Sequence, residues 1–179
     1  MGLLKKKTSP YDLGKVLYTN VRYVVMSPNT RFHQNKLFQD IREDPENLKL
    51  SNSIEVLILF MYIIFETLTR RYPSSLSLEV MKGVDSEFMN HMQPILKPGL
   101  DMITIEQVVK LIDNRFDEYG ECLRNKTGAG PAWHLGVKAY WNIIGQEKED
   151  PAPVLVLSAY SANIMEFIEN ILNDYKIKE

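Results

Sequence analysis

The sequence predicts a single all-α domain of about six helices, packed around a buried helix at residues 53–72. Helix-starting and helix-ending residues recur along the whole chain, and the segments between them place apolar residues three and four apart. No segment alternates as a strand series would, and no linker divides the 179 residues. A chain of this length suits one domain of ordinary size.

The first helix is predicted to begin at Pro10, because Ser9 can cap it and Asp12 lies in its first turn. It should stop before Ser27-Pro28. A second helix is expected at residues 30–43, since Asp44-Pro45 would end it. The single domain is expected to span residues 1–179, and residues 1–8 are expected to be a flexible basic tail.

The segment Val56–Phe65 is a run of ten apolar residues, and it predicts the buried helix of the fold. About 20 apolar residues are needed to span a bilayer, and Glu55 and Glu66 flank this run, so we expect no membrane span. Asn52 and Glu55 could cap the helix, and Pro73 ends it. A pair of strands is the alternative, but no turn residue interrupts the segment.

Four more helices are predicted after Pro73. Apolar residues at helical spacing mark one at 77–92, and Thr104 with Gln107 predicts a capping box for the next. Pro131 begins a third, which Gly145 ends. The last, from about Val154 to Tyr175, carries a heptad-like apolar stripe suited to near-parallel helix packing and therefore to self-association.

Composition excludes several classes of protein. Cys122 is the single cysteine, so neither a disulfide framework nor a multi-cysteine zinc site can form. The first ten residues are too short and too basic for a secretory signal, which indicates the cytoplasm. The chain also lacks a phosphate-binding glycine loop, a dinucleotide fingerprint and a nucleophile elbow. The sequence therefore predicts no cofactor, no metal and no catalytic residue.

The charge is unevenly distributed along the chain. Residues 1–36 carry seven basic side chains against one acid, whereas the rest carries 14 basic and 22 acidic ones. The seven are Lys5, Lys6, Lys7, Lys15, Arg22, Arg31 and Lys36. Either this segment docks on the acidic remainder of the fold, or it binds nucleic acid or another anionic surface, where interleaved tyrosines could stack on bases.

The segment Asn125–His134 is the candidate ligand site. Two glycines leave backbone N–H groups free ahead of the helix that starts at Pro131, an arrangement that favours an anion. The predicted ligand-binding residues are Arg115, Lys126, Thr127, Gly128, Gly130, Trp133 and His134. The simpler interpretation is a turn in which one glycine ends a helix and the other precedes a proline. Arg115 could instead form an ion pair at the edge of an apolar stripe.

Glu87 with His91, and Cys122, are the other candidates for chemistry. Glu87 and His91 lie four apart on one helical face, which favours a core histidine bonded to a carboxylate over a metal pair. Cys122 lies near a helix C-terminus, where the helix dipole disfavours a thiolate.

The sequence thus favours a non-catalytic helical protein that acts through protein–protein contacts, including a possible homodimer. A small-molecule or anion sensor with a pocket between helices is the alternative, and nucleic-acid binding through residues 1–36 is a further one.

Overall fold

Six helices and two short strands make up the part of the chain that the computed structural model describes, which comprises residues 5–26, 50–94, 104–145, 147 and 150–177. The helices are α1 (Pro10–Met26), α2 (Leu50–Arg71), α3 (Ser74–Met92), α4 (Ile105–Arg124), α5 (Pro131–Ile144) and α6 (Pro151–Asp174). The predicted all-α class is confirmed. The helix expected at residues 30–43 lies outside the described residues.

Local capping residues start the helices much as predicted. Ser9 Oγ accepts a hydrogen bond from the Asp12 backbone N–H (3.1 Å) at the start of α1. Thr104 and Gln107 form the full capping box of α4, with the two reciprocal bonds at 3.2 and 2.7 Å. Pro131 is the first residue of α5, and Gly145 ends that helix.

Three helices begin earlier than the sequence indicated. The helix α2 starts at Leu50, so Asn52 lies inside it and Glu55 faces the core instead of capping. The helix α3 begins directly after Pro73. The helix α6 begins at Pro151, because Asp150 accepts a hydrogen bond from the Ala152 N–H (3.2 Å) and so supplies a cap inside the predicted loop.

The helix α2 is buried along most of its length and contacts each of the other five helices. Every side chain from Ile54 to Ile64 is buried. All of these lie within or beside the run that the sequence predicted to be buried, and its members Leu57, Phe60, Met61 and Ile64 are at most 3% exposed. A helix that is apolar on all sides needs neighbours on all sides, which is how the sequence identified it.

The helices α1 and α3 approach each other at two glycines. A Cβ atom on Gly14 would lie 2.0 Å from the Val80 carbonyl oxygen, and one on Gly83 would lie 2.0 Å from the Tyr11 carbonyl oxygen. Real Cβ atoms do not come this close to another atom. The two backbones can therefore touch only because both positions lack a side chain.

The predicted apolar stripe of α6 packs inside the bundle, against α5 and α2. Five of its members are buried: Val154, Leu157, Ser161, Ile164 and Ile168. Within the described ranges α6 is the one helix long and apolar enough to cross a membrane, judged by length and composition alone. Its exposed positions beyond Ala162 are polar, as in a helix with one face against a bundle.

The two ends of the described chain form a small parallel sheet. The strand β1 (Lys6–Thr8) pairs with β2 (Tyr175–Ile177), with Lys6 opposite Tyr175 and Thr8 opposite Ile177. Residues 1–8 were predicted to be a flexible tail, but within this range Lys6–Thr8 form the strand β1. Three residues are too few to show an alternating pattern, and only the folded bundle brings the two segments together.

Candidate functional site

The turn between α4 and α5 is held by its own hydrogen bonds. Asn125 Oδ1 accepts bonds from the Thr127 N–H (3.0 Å) and from Thr127 Oγ1 (2.6 Å). His134 Nε2 lies 2.9 Å from the Thr127 carbonyl oxygen, and because a carbonyl only accepts, Nε2 carries the proton. Gly128 and Gly130 have φ angles of +57° and +88°, which other residues rarely adopt, and both face open space.

Arg115, which was predicted to reach this turn, is engaged elsewhere. Its Nε and Nη2 atoms donate to both carboxylate oxygens of Glu55, at 2.6–3.0 Å, in a fork-shaped pair. The side chain of Glu55 is only 7% exposed and that of Arg115 is 19% exposed. The hydrogen bonds from Glu55 raise the pKa of the Arg115 guanidinium. Arg115 is thus part of a largely buried ion pair between α2 and α4.

Glu118 continues this network onto α5. It accepts hydrogen bonds from Arg115 Nη1 (2.9 Å) and from Asn142 Nδ2 (3.1 Å), and its other oxygen lies 3.6 Å from Lys138 Nζ. The Asn142 amide also reaches the hydroxyl of Tyr119, whose pKa is raised by burial. These contacts join three helices and fix Glu118 in place beside α5.

A cleft of about 480 Å³ opens between α4 and α5, next to the turn. One wall comes from α4 and the segment directly after it: Glu118, Glu121, Cys122 and Asn125. The other wall comes from α5: His134, Val137, Lys138 and Trp141. Polar and apolar side chains thus converge on one concave surface.

Of the residues predicted to bind a ligand, one lines the cleft and the others do not. His134 lines it, whereas Lys126 and Thr127 are exposed on the turn and Trp133 packs against the core. Lys138 and Trp141 also line the cleft and were not predicted to belong to a site. Their spacing from His134, four and seven residues, places them on one face of α5, but no sequence signal says that this face meets α4.

The lining of the cleft includes one thiol, that of Cys122. Burial raises the pKa of the Cys122 thiol, so the nucleophilic thiolate is disfavoured, as its position near the C-terminus of α4 predicted. Among the residues that the structure describes, no three histidine, cysteine or acidic side chains are grouped to hold a metal ion.

His91 has a different partner from the one predicted. Its Nδ1 atom lies 3.1 Å from the hydroxyl of Tyr18 on α1. The hydrogen-bond partner is therefore Tyr18 and not Glu87. The close approach of α1 and α3 at their glycines explains this, because it brings the Tyr18 ring across to α3. Burial, with a smaller contribution from Arg22, lowers the pKa of His91.

The basic residues of the N-terminal segment do not dock on the fold through ion pairs, as far as the described residues show. Lys15 Nζ lies 4.9 Å from the centre of the Tyr11 ring, and Lys6 lies over the Tyr175 ring. Arg22 is exposed. In the described part of this segment, apolar contacts with α3 and the small sheet hold the chain in place. Arg31 and Lys36 lie outside the described residues.

Comparison with known proteins adds no relationship: no protein-family model matches the sequence, and neither the curated proteins nor the solved structures include one that is significantly similar.

Proposed function

We propose that this protein is a non-catalytic binding protein that takes a small molecule into the cleft between α4 and α5. The observation that carries the proposal is the cleft itself, whose volume of about 480 Å³ falls within the range of small-molecule sites, roughly 300–1,000 Å³. Such sites combine apolar walls with a few polar groups that orient the ligand. Trp141 and Val137 supply the first here, and Glu121, Lys138 and His134 the second.

The rigidity of one wall supports the same conclusion. Glu118 is held by Arg115, and Arg115 is held by Glu55 on α2. Asn142 and Lys138 hold Glu118 from the opposite helix. A wall whose polar group is already ordered loses little conformational entropy when a ligand binds, which favours affinity.

Native mass spectrometry of the protein purified without added ligand tests the proposal. We expect a retained small molecule, or a stabilising compound from a metabolite library scored by thermal unfolding. The variant Val137→Phe fills the cleft, and we expect it to abolish both signals. Leu78→Phe is the control, because Leu78 lies on α3 at 56% exposure and does not line the cleft. Retention that survives Val137→Phe would place the ligand elsewhere and refute the proposal.

Contact with a second copy of this chain is a second candidate function. The apolar stripe of α6 packs inside the bundle and cannot form this contact. On α4, however, Ile105 and Val109 are 39% and 46% exposed. They stand four residues apart, on the same side of the helix. A homodimer through this face predicts a solution mass of twice 20.7 kDa that returns to the monomer value in Val109→Lys. A monomer at all accessible concentrations would exclude it.

A further inference from the structure

The charges around the cleft indicate which kind of small molecule it binds. We propose that the ligand is an organic cation, a protonated amine attached to an apolar or aromatic body, with its charge at Glu121 and its body against Trp141. This inference rests on the proposed function, because it assigns a ligand class to the same cleft.

The first step is the charge balance of the ion-pair network beside the cleft. Two carboxylates, Glu55 and Glu118, and two cations, Arg115 and Lys138, contact one another in a chain across the three helices. Their formal charges cancel. The network therefore orders the wall without giving the cleft a net charge.

Glu121 is the charge that remains. It lines the cleft from α4, one turn after Glu118, and its side chain has no hydrogen bond or ion pair in the described part of the chain. The nearest cations in sequence do not neutralise it. The Arg124 guanidinium lies beside Gly120, 3.3 Å from where a Cβ atom would stand, and Lys126 is exposed on the turn outside the lining.

The second step concerns the opposite wall. Trp141 and Val137 stand on α5 across from Glu121, and both are half-buried. An indole ring attracts a cation to its face, by about 0.5–2 kcal/mol depending on desolvation, and it packs equally well on another aromatic ring. An anion would meet an unbalanced carboxylate here and would gain nothing from the indole face.

His134 adds an acceptor that fits the same ligand. Nε2 donates to the Thr127 carbonyl oxygen, and an imidazole with one N–H has its lone pair on the other nitrogen, here Nδ1. A protonated amine has several N–H groups to donate. An acceptor on the ring and a carboxylate in the same cleft can each receive one.

Two probes of the same shape and opposite charge test the inference. Tryptamine carries an ammonium group on an indole, and indole-3-acetate carries a carboxylate on the same ring. Each is titrated into isotopically labelled protein, with the Trp141 indole N–H and the backbone amides of the cleft followed by NMR. We expect tryptamine to shift these signals and to bind at least about tenfold more tightly than indole-3-acetate, which corresponds to one charge-assisted hydrogen bond.

Glu121→Gln is the variant that decides the role of the carboxylate. It keeps the size and the helix propensity of the side chain and should weaken tryptamine binding about tenfold. Asp117→Asn is the control, because it removes one exposed negative charge from the same helix outside the cleft, and binding should stay within about twofold.

The outcomes separate the two proposals. Equal or tighter binding of indole-3-acetate at the cleft, or tryptamine binding that is unchanged in Glu121→Gln, overturns the cation inference and leaves the cleft as a small-molecule site. If neither probe shifts a cleft signal, the cation inference also fails. The proposed function then depends only on the retained-ligand experiment with Val137→Phe.

Discussion

Glu55 and Arg115 form a largely buried pair that constrains how α4 packs on α2. A carboxylate with a side chain 7% exposed would be unstable without a partner, and Arg115 satisfies both of its oxygens. Such a pair does not have to increase the total stability, because removing two charges from water offsets most of their attraction. The pair mainly determines how α4 packs on α2, because any other packing of these helices would leave a charge buried and unpaired.

A double-mutant cycle tests this pair. Arg115→Met leaves Glu55 buried without its cation, and we expect a loss of about 3–5 kcal/mol in the free energy of unfolding. Adding Glu55→Gln to that variant removes the stranded charge, so the double variant should be more stable than Arg115→Met alone. The measurement is urea denaturation of the four proteins. Strictly additive losses would show that the two residues do not depend on each other.

Gly14 is a residue whose importance lies in the atom that it lacks. Gly14→Ala would place a methyl group 2.0 Å from the Val80 carbonyl oxygen, so α1 and α3 must separate. We expect a loss of at least about 1–3 kcal/mol, the usual range for overpacking. Thermal and urea unfolding give the value.

Gly120→Ala is the control for that change. Its added methyl group would meet the end of the Arg124 side chain at 3.3 Å, which can move away, and the Tyr62 hydroxyl at 3.7 Å, an ordinary contact distance. Alanine also exceeds glycine in helix propensity by about 0.5–1 kcal/mol, so this variant should be neutral or more stable. Similar losses at both glycines would contradict the close approach of α1 and α3.

The contact between α1 and α3 should make the free energy of unfolding depend on pH. His91 on α3 accepts or donates a hydrogen bond with Tyr18 on α1, and Arg22 and Glu87 are the charged groups near this pair. Because burial holds the pKa of His91 below its unfolded value of about 6.5, the folded state disfavours its protonation. The associated stability is present above about pH 6.5 and decreases as the pH falls below that value.

Replacing His91 by asparagine tests this sign. The variant keeps a polar group near the Tyr18 hydroxyl but has no group that titrates, so its stability should fall less than the wild-type stability does between about pH 7 and pH 5. Chemical denaturation at each pH gives both curves. Parallel curves would assign the acid sensitivity to other groups.

For the molecule as a whole, the positive charge of the N-terminal segment does not stabilise the fold through ion pairs among the described residues. Arg22 is exposed and forms no ion pair among them. Arg22→Glu should therefore change the free energy of unfolding by no more than about 0.5 kcal/mol at neutral pH, at low and high salt alike. A large, salt-sensitive loss would support the docking of this segment on the acidic remainder instead.

The same variant separates folding from nucleic-acid binding. If α1 contacts phosphates, Arg22→Glu should reduce the slope of log affinity against log salt for a single-stranded oligonucleotide by about one contact. Lys82→Glu on α3 is the control, because it makes the same charge change at a side chain that is 63% exposed on another helix. An unchanged slope, or no binding, would remove nucleic acid from the candidate partners.

The helical class, most of the helix positions and the buried character of α2 could be predicted from the amino-acid sequence alone. These features depend on interactions between residues a few positions apart, such as the capping box of Thr104, the proline at the start of α5 and the apolar run after Glu55. Boundaries differed where the cap was less evident, as at Asp150, because a polar loop and a capped helix start share the same residue types.

Only the tertiary structure decided which residues meet across the fold. Sequence spacing placed Arg115 at the edge of an apolar stripe, but Glu55 stands 60 residues away. In the same way, His91 bonds Tyr18 and not Glu87. The cleft is formed between α4 and α5, and the glycines of the turn do not line it. Side-chain periodicity defines the faces of a helix. The choice of the face that packs against another helix depends on the energy of the whole assembly, to which residues far apart in the chain contribute.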